Sequence, residues 1–192
     1  MKLWKYLPAV AMGAMATVAS AHPGHAETVS FLTGALHPLT GLDHLLVMFG
    51  VGVWAAQQEK SASLAIPVTF VLVMMLSGIA GYLGVTLPRV ETGIASSVVL
   101  IGLLVAFAIR LPAWIGMLMT TVFAVFHGHA HGSEYSESHG FWLYGLGFAL
   151  VTAALHASGY LVGYRFSQNR RAVAVGGVLM ATAGVVMLSQ TI

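Results

Sequence analysis

Two short clusters of ionisable residues lie in segments otherwise apolar enough to sit in lipid. The first, His37-Pro38-Leu39-Thr40-Gly41-Leu42-Asp43-His44, runs into Leu45-Leu46-Val47-Met48-Phe49. The second, Phe126-His127-Gly128-His129-Ala130-His131-Gly132-Ser133-Glu134, closes another apolar run. Imidazole and carboxylate bind divalent metal ions, and within membranes they also relay protons. An ionisable group at membrane depth costs about 2.5–3.5 kcal/mol on insertion scales, so Asp43 is not placed there for stability. The default reading of both clusters is an ion or proton site.

Helical geometry ranks the candidates. A helix turns about 100° per residue. His127, His131 and Glu134 follow i, i+4, i+7 and share a face if the helix runs that far, whereas His129 points to the opposite side. His127 and His131 therefore rank first, Glu134 next and His129 last. His37 and His44 point nearly the same way, with Asp43 about a third of a turn aside. A strict helix does not aim these three at one ion, but Pro38 and Gly41 can loosen the turn, as in the interrupted helices of transporters. With Pro38 as the outer end of a span, Asp43 and His44 lie ~8–9 Å inside it, and the second cluster approaches that level from a helix running the other way. His156, in Leu155-His156-Ala157-Ser158-Gly159, lies deeper, about 22 Å from Phe141. It is either a later station on an ion path or a hydrogen-bonding anchor between helices, and anchoring is also the alternative for Asp43.

The elements that must position these residues are membrane helices. The chain is 58% hydrophobic and 7% charged with a mean hydropathy of +0.86, against about 25% charged for a soluble domain. It has no cysteine, which excludes disulfides and thiolate metal sites. Eight Lys and Arg against six acids read as an orientation signal, not as a nucleic-acid footprint. No G-x-x-x-x-G-K-[ST] motif is present, so the chain is not itself an ATPase, and nothing in it points to an ATPase subunit as partner.

Lys2 and Lys5, an apolar stretch over 7–18 and Ala19-Ser20-Ala21 predict a cleaved signal peptide over 1–21. Residues 22–192 then form a single transmembrane domain, an all-α polytopic bundle of about six helices. The predicted spans are 38–56, 63–84, 92–109, 112–130, 141–163 and 172–188, with Pro38 and Pro112 in first helical turns, where a missing N–H costs nothing. With the mature N-terminus outside the cytoplasm, the inner connections carry Lys60, Arg110, Arg165, Arg170 and Arg171, and the outer ones only Arg89, as the positive-inside rule requires. The outer side collects His22, His25, Glu27, His129, His131, Glu134, Glu137 and His139, a face suited to meet a cation. His22, His25 and His139 are most simply solvated, with His22 a weaker capture candidate. Gly78, Gly81, Gly84, Gly128, Gly132, Gly159, Gly163, Gly176 and Gly177 are read as helix-packing residues. Met48, Met74, Met75, Met117 and Met119 are read as apolar filler.

The motif His37-Pro38-x-x-Gly41-x-Asp43-His44 resembles the signature of the HupE/UreJ family of nickel and cobalt permeases. Phe126-His127-Gly128-x-Ala130-His131-Gly132-x-Glu134 is similar to that family's second signature. The likeness extends over essentially the whole mature chain. It implies uptake of Ni²⁺ or Co²⁺ across a bacterial inner membrane for urease or hydrogenase maturation, with no resident prosthetic group and no enzymatic activity. By motif position it implies His37, Asp43, His44, His127, His131 and Glu134 as the metal site. The first motif also resembles the His-x4-Asp-His of the larger nickel/cobalt transporter family, with one more residue between the histidines here.

Ligation needs neutral imidazole, so protons compete with the metal. Uptake is expected to weaken as the outside pH falls below about 6, near the ordinary His pKa. Uptake that stays flat to about pH 5 with intact protein would argue against imidazole ligation. Two other classes use the same residue types. A membrane-embedded zinc hydrolase needs an open metal position for water but no through-path. A proton-coupled transporter of another divalent metal adds a His/Asp relay. An outer-face metal buffer would need no carboxylate within a span. Imidazole suits nickel, cobalt and zinc alike.

Overall fold

The computed structural model describes residues 30–134 and 140–191. The expected signal peptide, His22, His25, Glu27, Glu137 and His139 lie outside the described residues. Among those described, every regular element is a helix, and there are seven: α1 Phe31–Thr40, α2 Leu42–Ala56, α3 Lys60–Tyr82, α4 Val90–Ala106, α5 Ala113–Glu134, α6 Phe141–Arg165 and α7 Arg170–Ser189.

Four of them, α3, α5, α6 and α7, are long and apolar enough to cross a membrane. The predicted first span is not one straight helix. It breaks at Gly41 into α1 and α2, which meet at 82° and together make a fifth candidate crossing. Pro38 therefore lies in the last turn of α1, not in the first turn of a span. The reason is local. Proline has no N–H for the carbonyl four residues back, and Gly41 leaves the helix with extended dihedrals (φ −79°, ψ 115°). α1 itself starts earlier than predicted because Ser30 and Thr33 form a reciprocal capping box, which satisfies two N–H groups of the first turn. Depths counted along a straight helix from Pro38 do not apply to Asp43 and His44.

Pro112 comes one residue before α5, its carbonyl accepting from the amides of Ile115 and Gly116. α5 continues to Glu134, past the predicted end at 130, so the second cluster does lie on one helix. α4 has 17 residues, ~25 Å at 1.5 Å per residue, short of the ~30 Å hydrocarbon core. Left-handed residues, Arg89 (φ 55°) and Ala108 (φ 49°), bound it on either side.

α2 is central. Every residue from Gly50 to Ala55 is buried, and with Ile66, Phe70, Val98 and Ile101 this segment forms the core. The main pairings are α3 with α5, α4 with α7, and α6 with both α1 and α2. Glycines set their closeness. A methyl at Gly128 would meet the Met74 carbonyl, and one at Gly132 the Gly78 carbonyl, so α3 and α5 touch backbone to backbone. Ser77 Oγ donates to the Val125 carbonyl across the same seam (2.6 Å). The packing expectation fails at two glycines where an added methyl would meet no described neighbour within 4 Å: Gly84, which turns the chain at φ 82°, and Gly176. Leu64, Leu72, Leu76, Leu118, Leu150 and Leu179 point outward, an apolar exterior suited to lipid. At the far end of α2, Trp54 Nε1 donates to the Ile109 carbonyl (2.8 Å) and Gln58 Oε1 accepts from Leu111 N (3.0 Å), tying that end to the α4–α5 connection.

Candidate functional site

The break at Gly41 turns His37 and His44 onto two helices whose rings face one centre, 5.8 Å apart. α5 brings His127 and His131 to the same centre. The His131 ring lies 4.2 Å from that of His37 and 4.5 Å from that of His44, and the His127 ring 4.7 Å from His44. α6 closes the cluster with Tyr144 and Phe148, the latter 4.6 Å from His131. Burial increases along this group, from exposed Glu134 and half-buried His37 to His131 and His44 at 5% exposure and His127 at 0%.

The shortest contact joins the two helices that carry the motifs. His44 Nε2 and His131 Nε2 are 2.6 Å apart. Two nitrogens so close share a proton. The other ring nitrogen of each histidine meets a carboxylate: His44 Nδ1 donates to Asp43 Oδ1 (2.8 Å), and His131 Nδ1 lies 3.5 Å from Glu134 Oε2. Asp43 Oδ1 also accepts the backbone N–H of His44 (2.7 Å), and it sits in the first turn of α2, where helix polarity favours an anion. A straight helix would turn Asp43 away from the ion; here it acts on the neighbouring imidazole. His37, His131 and Glu134 form a second group, with one donor atom from each lying within 4.8 Å of the others.

His127 is held by a residue that sequence reading missed. Ser97 Oγ donates its one proton to the Ile94 carbonyl (2.6 Å). It must therefore accept from His127 Nε2, 2.9 Å away. That places the imidazole proton on Nε2 and leaves Nδ1 as a buried lone pair with no partner among the described residues. Tyr144, whose hydroxyl is 3.4 Å from His131 Nδ1, was also missed. The available signals were a serine pair inside the apolar run of α4 and a tyrosine one turn into α6. Glu91 of α4, likewise not singled out, shares with Asp43 the lining of a cavity of about 380 Å³.

Two predicted residues lie apart. His129 turns away, as its helical angle predicted, and Nε2 donates to the Val85 carbonyl (2.6 Å), pinning α5 to the loop after α3. His156 of α6 donates from Nδ1 to the Met48 carbonyl (2.6 Å) and packs on Phe70, not on the other histidines.

Comparison with known proteins agrees with the motifs. The family model described as HupE / UreJ protein matches residues 10–187. The chain belongs to the HupE/UreJ family. It is 39% identical over 191 residues to "Protein HupE" of Rhizobium leguminosarum bv. viciae, a match that covers 98% of this chain and 99% of that protein. No solved structure matches the chain. HupE/UreJ proteins are generally associated with nickel and cobalt transport, linked to hydrogenase and urease, and the apolar helices fit a membrane protein of that class.

Proposed function

We propose that the protein carries Ni²⁺ or Co²⁺ inward across the bacterial inner membrane, through a site made of His37, Asp43, His44, His127, His131 and Glu134. The observation that carries this reading is the facing pair His44 Nε2 and His131 Nε2, 2.6 Å apart at the meeting of two helices, each ring with a carboxylate at its other nitrogen. A carboxylate behind a histidine fixes its tautomer and raises its basicity as a metal ligand. Asp43 keeps a proton on His44 Nδ1. Moving the shared proton to His131 Nδ1, toward Glu134, frees two Nε2 lone pairs for one cation. Entry of the ion pushes the rings apart, because two imidazoles bound at ~2.0–2.1 Å need more room than 2.6 Å leaves.

The graded burial supports a direction of travel. Exposed Glu134 and half-buried His37 meet the hydrated ion with His131, and His44 and His127 receive it as water is shed. The two carboxylates offset the cost of bringing a dication into low dielectric. The membrane potential draws it inward by about 4.6 kcal/mol per 100 mV, twice the single-charge value. In this reading residues 1–21 are removed and the mature N-terminus faces the periplasm. The metal is cargo, the protein holds no prosthetic group, and it is not an enzyme.

The test is uptake of radioactive nickel in cells lacking their own importers, with Asp43→Asn as the diagnostic variant at matched membrane level. Wild type should give saturable uptake. Asparagine removes the charge behind His44, so half-saturating nickel should rise about 10–100-fold, as for other outer-shell partners of metal ligands. Unchanged nickel dependence in the variant would remove Asp43 from the site. If well-expressed wild type takes up neither nickel nor cobalt, the transport reading fails.

A further inference from the structure

α6 and α7 follow one another in the chain, yet they scarcely touch, because α6 packs on α1 and α2 while α7 packs on α4. Between them lies a crevice of about 360 Å³. Exposed Phe166 and Gly176 stand on its rim, and buried Gly50, Val53, Gly163 and Gly177 form its floor. These small residues open a way from the surface down to α2, the central helix. A methyl added at Gly176 would meet no described neighbour within 4 Å, so the space beside it is open. From Ala172 to Met180 the crevice follows α7 for ~12 Å at 1.5 Å per residue. That is most of one leaflet, ~15 Å or half of the ~30 Å hydrocarbon core.

The mouth of the crevice is basic. Phe166 and Ala172 border it at the α6–α7 connection, with Arg165 in the last turn of α6 and Arg170 and Arg171 in the first turn of α7. All three are exposed, and none forms an ion pair among the described residues. No acidic residue occurs after Glu137, so the connection has no countercharge of its own. Helix polarity favours anions, not cations, at the start of α7. Membrane orientation requires basic residues on this side, but not at the mouth of an apolar crevice. A guanidinium group pairs with a phosphate through two parallel N–H donors. An apolar trench with three unpaired guanidinium groups at its interfacial end complements a phosphodiester attached to an acyl chain.

We propose that this crevice binds one anionic phospholipid, with an acyl chain between α6 and α7 and its headgroup phosphate on Arg165, Arg170 and Arg171. The lipid comes from the leaflet at the α6–α7 connection, cytoplasmic in the orientation proposed above. Its chain covers the part of α2 that α6 and α7 leave bare, and so supports the helix whose other end carries Asp43 and His44. The site takes lipid, not metal, and does not depend on the transport reading.

The experiment reads lipid retention and needs no transport. The full-length protein is purified in detergent and titrated with phosphatidylglycerol or with phosphatidylcholine of identical acyl chains, and bound lipid is counted by native mass spectrometry. Wild type should hold one phosphatidylglycerol at least about tenfold more tightly than phosphatidylcholine, since each basic residue near the headgroup adds attraction. Arg165→Gln, Arg170→Gln and Arg171→Gln combined should remove that preference. Gly176→Leu puts a side chain into the crevice and leaves the arginines in place; it should weaken retention of both lipids about tenfold, through displaced apolar contact. Equal retention of the two lipids by wild type overturns the site without any variant. So does a preference that survives loss of the three arginines. Phosphatidylglycerol retention unchanged in Gly176→Leu also overturns it, since the lipid would then sit elsewhere. A wild-type dimer that Gly176→Leu dissociates would give the crevice to a second copy of the chain and overturn the lipid site as well. Failure of this site leaves the metal path standing, and failure of the metal path leaves this site standing.

Discussion

Nickel uptake falls to the cell background, by more than about 100-fold, in His131→Ala and in His44→Ala, while both variants reach wild-type levels in the membrane. Loss of a supporting partner alone costs 10–100-fold at metal sites, and loss of a ligand costs more. Each substitution removes one nitrogen of the pair that faces across 2.6 Å. His131 is the more exposed to damage because it is shared: its ring also packs on His37 and Phe148, and its Nδ1 lies near Glu134 and Tyr144. The check is saturable uptake of radioactive nickel, with protein level measured in the same membranes. The truncation strands its partner imidazole in a buried site at a cost of about 1–3 kcal/mol, so the level measurement distinguishes a lost ligand from a lost fold. Substantial uptake by His131→Ala would remove the facing pair from the mechanism.

Gly132→Ala destabilises the bundle strongly. The added carbon meets the carbonyl of Gly78, a backbone atom of the neighbouring helix that no rotamer change can move aside. Overpacking against flexible side chains costs about 1–3 kcal/mol, occasionally more; here α3 and α5 must separate, so a loss of at least about 3 kcal/mol is expected. The separation also draws His131, the preceding residue, away from His44. The measurement is thermal unfolding of the detergent-solubilised protein, with Gly176→Ala as reference, because a methyl there would meet no described neighbour within 4 Å. Equal stability of the two variants would mean that the α3–α5 seam is looser than its geometry implies.

These effects rest on features of unequal visibility in the sequence. Composition alone required a membrane protein, because a chain with so few charges has no polar surface to present to water. Apolar length required helices, since lipid leaves no other partner for backbone polar groups in a single-chain segment. Spacing within one helix also required that His127, His131 and Glu134 share a face and that His129 turn away, because those relations depend only on the helical period. Relations between helices were another matter. The cluster needs the 82° break at Gly41. Pro38 and Gly41 permit such a break, but its angle depends on how α1 and α2 pack on α6, through contacts such as Gly34 against Tyr144 and Gly52 against His156. Ser97 reaches His127 from α4, and Tyr144 reaches His131 from α6. Asp43 proved to be the partner of its own neighbour. Residue types and spacing alone set imidazoles and carboxylates within apolar helices. Which nitrogen atoms face one another follows from the packed bundle, because helix register is set by close packing between segments distant in the chain, and hydrophobic periodicity carries no information about it.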